Sequence, residues 1–187
     1  MLSTQQLRDD GWSKDICEFF DHWRELRGDA LVPDSSRFLD TPSFRFMNTV
    51  YICDVVPGQG AIVRFHGTEL VERWGADFTG KELHAYINPE AKKSSLSNME
   101  NAVRQPCDYL VGVSFVASSG RALQTQMILL PLAAKDDHAP RVVGYPMQNV
   151  GLKLQEAVNS IAETHNLIWL DIGAGVPDTP PLDVSSK

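Results

Sequence analysis

The chain has 187 residues, enough for one domain with extensions or for two small ones. Its hydrophobic content of 43% supports a core. Its formal charge of −7 argues against nucleic acid as a partner, because a phosphate-binding protein carries a basic face. The longest uninterrupted apolar run, Met127 to Ala134, is too short to cross a bilayer and contains Pro131, so no membrane insertion is expected. The N-terminal residues are polar and acidic where a signal peptide is basic and then apolar, so the sequence reads as cytoplasmic. Cys17, Cys53 and Cys107 have no paired spacing, which suits a reducing compartment and small buried hydrophobes.

In chain order, residues 12–27 are predicted helical. Trp12, Ile16, Phe19, Phe20, Trp23 and Leu26 form one apolar stripe at helical period. Ser13 is a candidate cap and Gly28 a stop. Residues 29–48 read as a connector with one short helix near Ser43 to Asn48. Thr49–Val56 and Ala61–His66 read as strands joined by the turn Pro57-Gly58-Gln59-Gly60. Leu70, Val71 and Trp74 suit a short helix closed by Gly75, and a second short helix follows the Thr79-Gly80 turn. Asn88-Pro89-Glu90 starts a long helix, with a cap, a first-turn proline and an acid at the positive end of the dipole. That helix carries Leu96, Met99 and Val103 and ends before Pro106. Three strands follow, 107–117, 121–132 and 141–148, with Ser118-Ser119-Gly120 as a hairpin turn and Pro146 suited only to an edge or a strand end. Leu154, Val158, Ile161 and His165 predict a second amphipathic helix, followed by a short strand at Leu167–Ile172. The division expected is a flanking helix at 1–28, a core at 40–150, a C-terminal helix with a short extension at 151–172 and a mobile tail at 173–187. The order predicts an α+β layer: a five-stranded antiparallel sheet with helices on one face, plus N- and C-terminal flanking helices.

The stretch IVRFHGTEL, the following WGADFTGKEL, the long helix and the three closing strands resemble the PAS domain family. More narrowly, Arg64, Gly67, Thr68, Thr79 and Gly80 match the strand-end and turn positions of its bacterial stand-alone branch. The resemblance covers roughly residues 40–150. It implies a sensory or regulatory module that acts in trans in signal transduction through protein–protein contacts, as a homodimer and with a signalling protein such as a histidine kinase. It also implies a core that can hold a small molecule. Gly67 and Gly80 are expected at sharp turns that favour positive φ. Alternation puts Arg64 on one face of its strand with Ile62 and His66. There it pairs with Glu69, Glu72 or Asp77, or else it binds an anionic group in a cavity.

Other chemistry finds little support. The flavin photosensor's Asn-Cys-Arg-Phe-Leu-Gln helix is missing. Haem is not expected, because residues 88–105 hold no histidine and His84 reads better as a surface or hydrogen-bonding residue. Cys53 and Cys107 fall on predicted strands, which does not suit a coumaroyl-type photosensor. No metal-ligand spacing, nucleophile elbow, phosphate-binding loop or kinase signature occurs, and His165 reads as a helix-terminal histidine. The chain is therefore not read as an enzyme. The alternative kept open is a small cone-shaped α+β isomerase or dehydratase using Asp54 and His66 as cross-strand neighbours, although Asp54 more naturally faces solvent.

Alternation places Tyr109, Val111, Val113 and Phe115 on one face of their strand and Leu123, Thr125, Met127 and Leu129 on one face of the next. Arg64, Tyr86, Met99, Val103, Tyr109, Val113, Phe115 and Met127 are the candidate cavity residues. The same positions also fit a tightly packed core. Trp12, Ile16, Phe19, Phe20 and Trp23 are the candidate interface.

Overall fold

A computed structural model describes residues 3–40, 44–86, 89–117, 120, 122–134, 138–147 and 158–178. The N-terminal helices are written in local chemistry. Helix α1 (Thr4–Asp9) starts in a capping box, with Ser3 and Gln6 each bonding the other's backbone. Helix α2 (Lys14–Arg27) begins at Ser13, whose hydroxyl accepts the Ile16 N–H at 3.3 Å. It carries Asp15 in its first turn and Arg24 and Arg27 in its last, and stops at Gly28 with φ +55°. Two short helices, α3 (Ser35–Asp40) and α4 (Phe44–Met47), fill the connector. Of these, α1 and α3 were not legible as helices. Each spans six residues, too few to show a hydrophobic period.

Strands β1 (Tyr51–Val56) and β2 (Gly60–His66) form the expected hairpin. Helix α5 (Thr68–Trp74) follows, ending on Gly75 in the left-handed region. Then come a 3-10 turn at Leu83–Tyr86 and helix α6 (Pro89–Arg104). Strands β3 (Asp108–Ala117), β4 (Ala122–Leu132) and β5 (Arg141–Pro146) close the core. Pro146 ends β5 opposite Met127. Pro131 lies beyond Leu129, where the β3–β4 pairing stops, so its missing N–H costs no bond to β3.

Residues 158–170, expected to be mainly helical, are strand β6 (Val158–Leu170) instead. Among the described residues the sheet therefore has six strands, all antiparallel, in the order β2-β1-β5-β4-β3-β6. The physical reason is β3: without β6, one whole edge of its backbone would lack partners. β6 pairs with it from Asp108↔Leu170 to Ala117↔Val158. Asn166 takes φ +52° where two β6 residues oppose Val111 alone, a bulge that asparagine tolerates. The short strand expected at Leu167–Ile172 is the end of this longer one. Residues 151–157, Asn88, Ser43, Ser118 and Ser119 lie outside the described residues.

Each face of the sheet carries its own core. The α2 stripe covers one face, with Ile16, Phe19, Phe20, Trp23 and Leu26 against Ile52, Leu110, Ile128, Leu130, Val143 and Tyr145. Trp23 Nε1 donates to the Pro131 carbonyl at 3.0 Å, so its one polar atom is satisfied in an apolar layer. On the other face, Leu70, Phe78, Leu83, Met99 and Ala102 from the helical segments meet Tyr51, Cys53, Val63, Tyr109, Val111, Val113, Met127 and Leu129. The segment after β6 is also held, at least to Val176. Asp171 Oδ1 accepts from the Gly173 and Gly175 amides, and Gln105 Nε2 donates to the carbonyls of Ala174 and Val176 at 3.1 Å. The expected tail begins at residue 173, and residues 173–176 make these bonds; residues 179–187 lie outside the described part.

Candidate functional site

The site lies on the helical side of the sheet. Its geometry starts from a one-residue bulge in β2. Ile52 pairs with Phe65 and Cys53 with Val63, which leaves Arg64 without a partner in β1. The bulge breaks the expected alternation. Arg64 turns to the face of Ile52 and donates from Nε to Asp54 Oδ2 at 2.7 Å. His66 comes opposite Tyr51 on the helical face. Arg64 thus pairs with a carboxylate, but not with Glu69, Glu72 or Asp77, and it lies away from the helical-side core.

Asp54 is 4% exposed rather than solvent-facing. Arg141 Nε reaches its other oxygen at 2.7 Å, and Arg141 Nη1 donates to Ser35 Oγ at 3.0 Å. Asp54 pairs with Ile62 across the hairpin, on the opposite face from His66, so the two form no acid–base dyad.

His66 is fixed by the turn that follows α5. Asp77 Oδ1 accepts from the Thr79 amide at 2.9 Å and its hydroxyl at 2.7 Å, bonds that hold the Asp77 carboxyl below its usual range. Gly80 takes φ +80°, as expected of a residue in this turn. The Phe78 amide then donates to His66 Nδ1 at 3.3 Å. With Nδ1 accepting that amide, the ring's proton is assigned to Nε2, although Asp77 Oδ1 also lies 3.7 Å from Nδ1. Nε2 is buried and has no hydrogen-bond partner. Burial also lowers the His66 pKa, against a smaller opposing effect of Asp77, which keeps the ring neutral. Trp74 and Phe78 pack on the ring at 5.0 and 5.5 Å.

Gly67 is a different case from Gly80. Its φ is −61°, and what demands glycine is close approach. A Cβ there would lie 2.6 Å from the Met47 carbonyl oxygen and closer still to that of Asn48. The Gly67 amide bonds Val50 and the Glu69 amide bonds Asn48, both at 2.9 Å, docking α5 against the chain before β1. Gly144 does similar work for a side chain. It pairs with Tyr51, and the tyrosine ring lies where a Cβ would stand. The Tyr51 hydroxyl donates to Met127 Sδ at 3.2 Å.

His84, 1% exposed, takes a buried hydrogen-bonding place: its Nε2 lies 2.9 Å from Ser95 Oγ on α6. Its Nδ1 is buried without a partner, and burial lowers its pKa to about 4. Thr164 Oγ1, opposite Val113 on β6, is also buried without a partner. Among the described residues, three unmatched polar atoms thus lie buried on the helical side of the sheet.

Of the cavity candidates, Tyr109, Val113, Met127 and Met99 are buried together there, and Val103 packs against them half-buried. The side chains of Tyr86 and Phe115 lie outside the described residues. Of the interface candidates, Ile16, Phe19, Phe20 and Trp23 are committed to the chain's own second core, with Trp12 packed at its margin. Sequence reasoning missed Tyr51, Trp74 and Phe78 as His66's surroundings, because the bulge that gathers them leaves no periodic trace. It also missed Asp108, which is 0% exposed. Its parity with Leu110 on an apolar strand was the available signal. Among the described residues, no three His, Cys, Asp or Glu side chains come together to hold a metal ion, and no helix is long and apolar enough to cross a membrane.

No match to the curated proteins was found. Among solved structures, a fungal LOV-domain photoreceptor is 18% identical, covering 53% of this chain and 72% of that chain with a TM-score of 0.40. The light state of the blue-light photoreceptor Aureochrome1 LOV is 14% identical, covering 56% and 83% with a TM-score of 0.40. A variant of Vivid is 12% identical, covering 53% and 80% with a TM-score of 0.41. The family model described as PAS domain matches residues 13–147, most of the chain. The chain belongs to the PAS domain family.

Proposed function

We propose that this sensory domain binds a small, mainly apolar molecule between the helical segments and the sheet. The observation that carries this reading is the set of three buried, unmatched polar atoms on that side: His66 Nε2, His84 Nδ1 and Thr164 Oγ1. Buried polar groups are rarely left without partners, since each costs about 1–3 kcal/mol. A ligand that accepts from His66 Nε2 and bonds one of the others removes that cost while filling an apolar site lined by Tyr109, Val113, Met99 and Met127. The domain then acts in trans, as a cytoplasmic homodimer, on a signalling protein such as a histidine kinase. With most of the α2 stripe committed to the core, the contact uses other surfaces.

Mass spectrometry of protein purified under native conditions tests the ligand. A bound molecule is expected, and adding it back to stripped protein at a hundredfold excess over its Kd adds about 2.7 kcal/mol of stability. Protein that carries no molecule and shows no thermal shift with a metabolite panel refutes the reading.

A further inference from the structure

On the opposite face of the sheet, the last turn of α2, the start of β3 and the end of β6 meet at a second unmatched group. Asp108 is 0% exposed, and neither carboxylate oxygen has a hydrogen-bond partner. Across from it on β6 stands Leu170, which is also buried. The cations whose charge reaches Asp108 are Arg27 and Arg24, both on α2. Cys107 is its titratable chain neighbour, and Asp171 faces Cys107 from the segment after β6. Arg27 already has work to do. Its Nη1 donates to the Ile172 carbonyl at 2.9 Å and to the Leu31 carbonyl at 3.2 Å, and its guanidinium lies over the Trp23 ring. Arg27 therefore ties the N-terminal helix to the segment that leaves β6.

The geometry points to a protonation latch in which Asp108, when it loses its proton, draws Arg27 off the Ile172 carbonyl and frees the segment after β6 from α2. Burial holds the Asp108 carboxyl well above the usual carboxylate range, opposed by Arg27 and Arg24. The neutral acid makes no demand on its neighbours. The ionised one, with its proton released to water, is an unpaired charge in an apolar layer and requires a charged donor. Arg27 exerts the larger of the two cationic influences on Asp108, and turning towards it draws Nη1 away from the carbonyls it now bonds. Among the described residues, the polar bonds then left to 171–178 are those to Gln105 and the local Asp171 turn, beside the apolar packing of Ile172. A rise in pH through the point where Asp108 ionises works the latch.

The test follows the Asp108 carboxyl by carbon NMR and, over the same pH series, the hydrogen-exchange protection factors of residues 172–176 in the full chain. The expected result is a fall of tenfold or more in protection at the pH where Asp108 ionises, with no matching fall in β1 or β2. Asp108→Asn keeps protection flat across the series, and Arg27→Gln keeps it low throughout. Ionisation without a fall, an equal fall in Asp108→Asn, or a carboxyl that stays neutral up to pH 9 each overturns the latch. None of these readouts depends on a ligand in the opposite core.

Discussion

Replacing Gly144 with alanine puts a methyl group where the Tyr51 ring already stands. The added Cβ would lie 2.5 Å from Tyr51 Cε1 and Oη and closer still to Cζ. Carbon atoms settle at about 3.5–4.0 Å, so the ring must move by about 1 Å or more. It has nowhere to go. Tyr51 is buried, Trp74 packs beside it at 6.0 Å, and its hydroxyl is bonded to Met127. Overpacking of this kind costs about 1–3 kcal/mol, and full displacement of a buried aromatic ring about 3–5. A loss of about 3 kcal/mol is therefore expected for Gly144→Ala, read from the midpoint of urea unfolding at unchanged m-value. The cause is checked by a double-mutant cycle. Tyr51→Leu removes the clashing atoms, so the double variant should be more stable than additivity allows by at least about 1 kcal/mol. A cost below about 0.5 kcal/mol for Gly144→Ala, or additivity within about 0.5, refutes the account of the Tyr51 seat.

Trp23→Ala should destabilise by about 3–5 kcal/mol, because it empties the centre of the α2 core and leaves the Pro131 carbonyl unmatched; a calorimetric or denaturant change under 1 kcal/mol contradicts that packing. His84 is held neutral by burial, with its pKa lowered from 6.5 to about 4. Its contribution is therefore fully present above pH 6.5 and is lost as pH falls from there towards 4, amounting to about 2 kcal/mol at pH 5. His84→Leu should flatten that part of the pH–stability curve, and parallel curves for variant and parent refute the assignment. Asp54→Ala leaves Arg141 without its buried partner and should cost more than about 2 kcal/mol, whereas Arg64→Met, at a side chain 53% exposed, should cost less than about 1. Equal costs in chemical denaturation would show that Arg64 carries the value of Asp54 and refute this ranking.

The elements with a strong local signature were legible in sequence: the α2 stripe with Ser13 and Gly28 at its ends, the hairpin around Pro57–Gly60, and the alternation that sends Met127 and Leu129 one way and Ile128 and Leu130 the other. What stayed hidden depends on partners distant in the chain. The spacing of Val158, Ile161 and His165 satisfies a helix, and only the open edge of β3 makes it a strand. The Arg64 bulge changes which residues share a face, and with them the place of His66. Gly67 and Gly144 are glycine because of Asn48 and Tyr51, a steric reason that local sequence does not carry. The aromatic stripe was legible as a surface that must be covered. What covers most of it is the chain's own sheet.

β6 has one more consequence. It shields β3 along its length, from Asp108 to Ala117, and the chain after it returns to Gln105 at the end of α6. The stretch that matches the family ends at residue 147, so the recognisable domain and the folding unit are not the same object. A polypeptide cut at residue 150 would keep every family feature yet present a ten-residue bare strand edge to its neighbours, inviting edge-to-edge aggregation. For this protein the ordered chain reaches at least to Val176, and the residues after the matched stretch add β6, which replaces β3 as the edge strand on that side.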